Sequence, residues 1–585
     1  MKKSIKFLSL ALASLMMAST VAACNREPAG TGDPDANNES VSQLKVLNYE
    51  GGFGRVWLDK AVERFEKKYE GVSFEPGKTG VNVQIESSIN GTAGNSLITN
   101  VKTHTAHVFF TEDVLLYSLT AAGAAADITD IVTGSLSTIT DGKETGSIAD
   151  KFDTSIGNYY ELGEVRDATG NKTQAGKFYA LPHYSAPKGI FYDVDLFNEK
   201  GLWLDNEGQP FGTATTQDAD GIGTGPDGEL GTYDDGLPRT FDEFFALCDY
   251  MTINGVMPFT WAGAHDYPTS ALAELWADFE GKDQFYLNFS MDGTATTLID
   301  TMGADGKPTK MMPATEINGD NAYLLQRQQG KYVTLEFAKK IAENEAYYTT
   351  ESYSPGESNI MSQYTYLASR VMSGRTPIAF FFEGVWWENE ADENGHFRDL
   401  SIYGKGDRST RKFGWLPYPK YTEAMVHENN RRTIYDTTNN SCAFIRSTIT
   451  DANIMKLAKT FLQFCYTDNE LQEFTVNTST LKPVNYQIPA DKMSRMSYFG
   501  KDVASLTNND RVDYVYTFSD HPIFVNHVDK FYMPDFSWGD DSYNKNPMRF
   551  LYAKAGNAAA TIKQKFDAMV RDRQTQWNSG FNTVG

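Results

Sequence analysis

The chain has 585 residues, of which 41% are hydrophobic and 22% charged, a length at which a few large domains each bury a sizeable core. This composition excludes a disordered, collagen-like or disulfide-stapled scaffold. With 53 Lys and Arg against 76 Asp and Glu the formal charge is −23, a field that repels phosphate backbones and anionic lipid and so argues against nucleic-acid binding.

At the N-terminus, Lys2, Lys3 and Lys6 precede an apolar run from Phe7 to Met17 and then small residues, the three-part pattern of a secretory signal over residues 1–23. Val21-Ala22-Ala23-Cys24 resembles the lipobox of bacterial lipoproteins, in which the cysteine becomes the acylated first residue. Cleavage would remove three lysines and no acid, taking the charge from −23 to −26. Residues 24–43 are then a lipidated Cys24 and a Gly-, Pro-, Asn- and Asp-rich flexible tether. The expected location is the extracytoplasmic face of the bacterial cell membrane, with the membrane contacted through the lipid anchor only. Beyond the signal no apolar run approaches the ~20 residues of a spanning helix.

In chain order, a β-rich run over 44–49 leads through a glycine turn into a helix with Trp57, Ala61, Val62, Phe65 and Tyr69 on one face. Val81, Val83 and Ile85 alternate as in a half-buried strand. A helix over 94–103, the strand His107-Val108-Phe109-Phe110 and a helix over 113–124 follow. This β-α order predicts an α/β layer with a largely parallel sheet. Residues 178–192 read as two strands around a Pro-containing bend, and 208–238 as a long polar Gly/Asp-rich insertion. Thr240 and Glu243 have the spacing of a capping box. Residues 377–387 and 441–445 read as strands, an amphipathic helix follows the second, and the last helix carries Ile562, Phe566 and Met569 on one stripe. Cys248, Cys442 and Cys465 remain after Cys24; an odd number cannot all pair, packing suits Cys248 and Cys465, and a Cys442–Cys465 bridge is the alternative.

Five stretches together resemble the family 1 extracellular solute-binding proteins, the lipoprotein receptors of bacterial ABC sugar importers: 47–72, 108–129, 178–202, 373–390 and 457–485. No single stretch is decisive; their order behind a lipobox is. The resemblance implies a two-lobed periplasmic-binding-protein-like α/β fold with hinge strands and an interlobe cleft. Lobe 1 would be 44–182 plus 440–500, and lobe 2 183–439 plus 501–585. It also implies an oligosaccharide ligand, ABC permease subunits as partners, a monomer and no enzymatic activity.

Sugar binding asks for aromatic rings against the C–H faces of pyranoses and carboxylates or amides around the hydroxyl rim. Candidate residues are Glu383, Trp386 and Trp387; Trp261, His265, Asp266 and Tyr267; Tyr49, Glu50 and Phe53 after the first strand; Glu112 and Asp113 after the third; and His183 and Tyr184 after the crossing strand. Open α/β sheets place ligands at such strand ends. Each has a packing alternative, and of Trp386 and Trp387 one is expected to face the core.

Asp218, Asp220, Ile222, Thr224, Asp227 and Glu229, with Asp234 and Asp235 beyond them, match most of a calcium loop, with Ile at the fifth position where an oxygen ligand belongs. The two readings are a structural calcium bracing the insertion and a polar loop that stays solvated; no other cofactor is required. No Gly-x-Ser-x-Gly or Cys-x-x-Cys occurs, and His427-Glu428 lacks the second histidine of a zinc protease. The alternatives to a receptor are a surface glycoside hydrolase using Glu383 with Glu112, an adhesin or sensor subunit, and a receptor for a peptide or other small solute.

Overall fold

The computed structural model describes residues 38–88, 94–161, 176–265, 267–404, 406–427, 430–507, 509–518 and 562–584. Cys24, most of the tether, Asp266 and Trp538 lie outside them. The strands that carry the frame are β1 (Ser42–Tyr49), β2 (Val81–Ser88), β3 (Val108–Thr111), β4 (Ala180–Pro182), β5 (Lys188–Asp193), β6 (Met257–Trp261), β7 (Ile378–Gly384), β8 (Phe413–Leu416), β9 (Arg432–Asp436), β10 (Cys442–Ile445) and β11 (Val512–Tyr516). The helices that matter here are α1 (Val56–Tyr69), α2 (Phe241–Ile253), α3 (Tyr267–Ser290), α4 (Asn359–Val371), α5 (Trp387–Glu393), α6 (Ala452–Phe464), α7 (Asp468–Thr478) and α8 (Tyr498–Thr507).

Two sheets define two lobes. The first has the order β2-β1-β3-β10-β4, with β1, β2 and β3 parallel and β10 antiparallel to both its neighbours. The second has the order β8-β5-β7-β6, with only β6 and β7 parallel. α1 packs on β2, and α6 packs on β1 and β10. α1 buries Trp57, Leu58, Ala61, Val62 and Phe65, setting Phe65 against Phe461 of α6 and Trp57 against Phe474 of α7. β7 is buried along its whole length. Phe381 faces one core, while Phe380 and Phe382 face another with Phe259 and Phe244.

The chain passes between the sheets from β4 to β5 and from β9 to β10, and returns through α8, which packs on β8, into β11. β9 and β11 form a separate parallel ladder beside these crossings. Asp436, fully buried at the end of β9, ties two of them together. Its carboxylate accepts from the backbone N–H groups of Ala186 (2.9 Å) and Thr438 (2.7 Å) and from the Ser185 hydroxyl. Three donors on one buried carboxylate make it costly to remove.

Thr240 caps α2 by accepting from the Glu243 N–H at 3.3 Å. The reciprocal half of the capping box is absent, because the Glu243 carboxylate bonds the N–H and guanidinium of Arg239 instead. Cys248, Cys442 and Cys465 are all buried free thiols, so the Cys442–Cys465 bridge is not formed. Among the described residues no helix is long and apolar enough to cross a membrane.

Candidate functional site

Four strands deliver the site. β1 ends at Tyr49 and turns through Glu50-Gly51-Gly52-Phe53-Gly54 into α1, and β3 ends just before Glu112. From the other lobe, β6 leads to His265 and Tyr267, and β7 leads to Trp386 and α5. These carboxyl ends face one another across a cavity of about 510 Å³, a volume within the usual range for small-molecule sites. Lys188 at the start of β5 and Asn439 in the β9–β10 crossing close its floor, and Asn359, Glu390, Glu393 and Asn394 complete the second-lobe wall.

The lobes touch at its edge through the glycine turn. Gly52 and Gly54 have φ of +64° and +63°, the left-handed region that glycine alone enters freely. A Cβ on Gly52 would lie 2.8 Å from Trp386, and one on Gly54 2.5 Å from the Glu393 carboxylate. The Asn389 amide donates to the Gly52 carbonyl at 3.3 Å. Phe53 sets its ring centroid 4.2 Å from that of Tyr184 and 6.0 Å from that of Trp386.

The cavity is rich in acid. Glu112 accepts hydrogen bonds from the Tyr184 and Tyr49 hydroxyls, yet burial still raises its pKa. Burial likewise raises Glu390, which accepts from Asn359 (3.0 Å) and Gln363 (2.6 Å). Glu50 is raised by burial, partly offset by Arg55. Glu393 is raised by burial and then by the charge of Glu50 across the cleft. Against these stands Lys188, whose ammonium donates to Asn439 Oδ1 at 2.9 Å and lies 5.0 Å from the Trp386 ring centroid and 5.8 Å from that of Tyr267. Burial lowers its pKa, and the charges of Glu112 and Glu383 oppose that.

Of the residues singled out from sequence, Tyr49, Glu50, Phe53, Glu112, His265, Tyr267 and Trp386 line this cavity. Tyr184 stands one layer behind, through its bond to Glu112. Asp266 lies outside the described residues, and the remaining candidates do not line the cavity. Asp113 is exposed beside the rim with φ of +56°, its N–H donating to the Asn439 carbonyl at 2.9 Å. His183 is buried among Trp57, Phe110 and Phe474, with Nδ1 2.9 Å from the buried Lys482 ammonium. Trp261 packs on Tyr348, Tyr353 and Phe382. Trp387 fills the core between Phe381, Phe413 and Phe499. Glu383 is fully buried, with one oxygen on the Gly384 N–H and the other unpartnered. Burial first, and then the charge of Glu390, pushes its pKa far up.

The tryptophans part because β7 ends at Gly384 and α5 begins at Trp387, so strand alternation does not govern them. Sequence reading passed over Lys188, Asn359, Glu390, Glu393, Asn394 and Asn439. Trp386, Glu390 and Glu393 stand at i, i+4 and i+7, one helical face, a signal available once the helix is placed there. Asn439 and Lys188 carry no such signal; only the crossings bring them in.

The insertion does not assemble the calcium register read from sequence. Ile222 is buried against Trp203 and Gly236. Asp218 and Asp220 are exposed, and Asp218 accepts from the Thr216 hydroxyl at 2.5 Å. Thr224 is half-buried. Asp227 and Glu229 are paired with Arg511, the former at 3.1 Å. Asp234 accepts from the Asp227 N–H (3.0 Å) and Asp235 from the Gly231 N–H (2.7 Å). Among the described residues no group of three or more His, Cys, Asp or Glu side chains is arranged to hold a metal ion.

Two α/β lobes with a lined cavity between them define a binding-protein fold. Solved structures share it. The apo form of RafE from Streptococcus pneumoniae matches with a TM-score of 0.50 at 13% identity, over 92% of this chain and 98% of that one. RafE in complex with raffinose gives a TM-score of 0.49 at 12% identity over 92% and 100% of the two chains. A maltotriose-binding protein from Thermus thermophilus gives 0.48 at 11% identity over 93% and 100%. The apo RafE match, at a TM-score of 0.50 and 13% identity, shows the fold alone. No protein-family model and no curated protein matches the chain.

Proposed function

We propose that this chain is the substrate-capturing receptor of an ABC importer, lipid-anchored through Cys24, which holds an oligosaccharide between its lobes and presents it to a membrane permease. The observation that carries the reading is the composition of the cavity wall. Rings of Tyr49, Phe53, Tyr267 and Trp386 stand among Glu50, Glu112, Glu390, Glu393, Asn359, Asn394 and Asn439. Flat apolar faces beside acceptors and amides suit a pyranose, whose C–H faces and hydroxyl rim need both. Because the wall is shared between lobes, a bound ligand contacts both and favours their closed arrangement. The energy for uptake would come from a separate ATPase.

The protein acts here by binding, without turnover. A hydrolase using Glu383 with Glu112 would need both carboxyls at the substrate, and Glu383 does not line the cavity. Thermal-shift screening against a glycan panel tests the receptor reading, with the hits then incubated with protein at catalytic levels. The expected result is a raised melting temperature with an oligosaccharide that is recovered intact. Hydrolysis of the hit, or stabilisation by peptides alone, would contradict it.

A further inference from the structure

The backbone is strained where the β9–β10 crossing meets the cavity floor. Among the described residues seven that are not glycine have positive φ, and four of them meet at this point. Thr438, Asn439 and Asn440 stand in succession at +47°, +45° and +48°, and Asp113, at +56°, donates its N–H to the Asn439 carbonyl. L-residues other than glycine enter the left-handed region as single residues, and then mostly as Asn or Asp. Three in a row, led by a β-branched Thr, form a costly conformation that persists only where its surroundings impose it. No side-chain bond offsets the cost at Thr438, which is fully buried with its hydroxyl unpartnered.

The bonds that impose it come from both lobes. From the first, the N–H groups of Asp113 (2.9 Å) and Val114 (3.1 Å), just after β3, donate to the carbonyls of Asn439 and Asn440. From the second, Lys188 at the start of β5 donates to Asn439 Oδ1 at 2.9 Å. Within the crossing, Asp436 accepts the Thr438 N–H at 2.7 Å, and the Ser441 N–H donates to the Thr438 carbonyl at 2.9 Å. Asn439 and Lys188 also line the cavity, so one short turn is held by the two lobes and touched by the cavity's contents. Rotation of one lobe against the other would draw its partners apart and let the turn return to negative φ.

Resting on the reading of this cavity as the ligand site, we propose that Thr438-Asn439-Asn440 is a strained catch that sets the receptor's affinity. The ligand-free chain spends most of its time with the turn relaxed and the lobes reoriented. Ligand contacts to Asn439, to Lys188 and to both walls offset the strain and hold the arrangement described here. The apparent affinity is then the intrinsic one reduced by the small fraction of ligand-free molecules in which the turn is already left-handed. Thr438 and Asn440 do not line the cavity, so they act on binding only through this equilibrium.

The test compares Thr438→Gly with Thr438→Ala. Both lose the hydroxyl, and only glycine enters the left-handed region freely. Asn440→Gly and Asn440→Ala, at a half-buried position, repeat the comparison should the Thr438 pair fold poorly. Each variant is titrated by calorimetry with the oligosaccharide that gives the wild type its largest thermal shift, and its ligand-free small-angle X-ray scattering is recorded. The expected result is binding about tenfold tighter in the glycine variant than in its alanine partner, with ligand-free scattering moved towards that of the liganded wild type in the glycine variant alone. Equal affinities with superimposable ligand-free scattering, or weaker binding by the glycine variants, would overturn this inference and leave the receptor reading standing. No binding of any oligosaccharide to the wild type would overturn the receptor reading, and the ligand-free scattering of the glycine and alanine variants would then decide by itself whether the turn governs the lobes: different curves support it, and identical curves overturn it.

Discussion

Trp386 and Trp387 are neighbours in sequence with opposite tasks. Trp386 presents its ring to the cavity under Lys188, whereas Trp387 is fully buried between Phe381, Phe413 and Phe499. Trp386→Ala should therefore weaken the bound oligosaccharide by about 2 kcal/mol, the usual cost of truncating a large buried anchor. Trp387→Ala should instead lower the unfolding free energy by about 3–5 kcal/mol, as cavity-forming aromatic deletions do. Calorimetry and denaturant unfolding on both variants separate the two; equal affinity losses with equal stabilities would contradict the assignment. The paired aromatics were legible as site candidates from sequence alone. Which member faces the ligand was not, because that depends on where β7 stops. Glu383 was misplaced for the same reason: a strand read as running through residue 387 leaves no sign that its buried end carries the acid inward.

At the scale of elements, local patterning placed β1, α1, β2 and β3 well, since period two and period 3.6 are written in the chain itself. The β9–β11 ladder joins segments far apart in sequence, and nothing local signals it. Ile222, the fifth position of the calcium register, has its side chain in the core with Trp203 and Leu237; the spacing of the acids does not announce that burial. One element-level contact carries a pH prediction. His107, just before β3, accepts the Lys45 N–H of β1 on Nδ1 at 3.0 Å. Burial first, then the charges of Arg446 and Lys45, push its pKa down from 6.5 to about 4. Between these values the unfolded chain binds a proton that the folded one refuses. This contribution is therefore present above pH 6.5 and lost as pH falls towards 4. The ring is partly solvated, so the slope falls short of the ~1.4 kcal/mol per pH unit of a fully sequestered group. Asp502, raised by burial to about 6, runs in the opposite sense, so the readout is the difference between the wild type and His107→Gln. The variant should lose less melting temperature on acidification across this window, and parallel curves would contradict the argument.

For the molecule as a whole, the lobes are joined by crossings that Asp436 anchors, and among the described residues they touch at the cavity mouth through the glycine turn against Trp386, Asn389 and Glu393. A ligand seated in the cavity adds contacts to both lobes and shifts the population towards the closed arrangement by its differential affinity for it. The most direct measurement is a crystal structure of the protein grown with the oligosaccharide that stabilises it most. The account predicts sugar density in the interlobe cavity, with pyranose faces on Trp386 and Tyr267 or Phe53 and hydroxyl groups on Glu50, Glu112, Glu390 or Glu393. Sugar bound outside the cleft, with the cavity filled only by water, would contradict it.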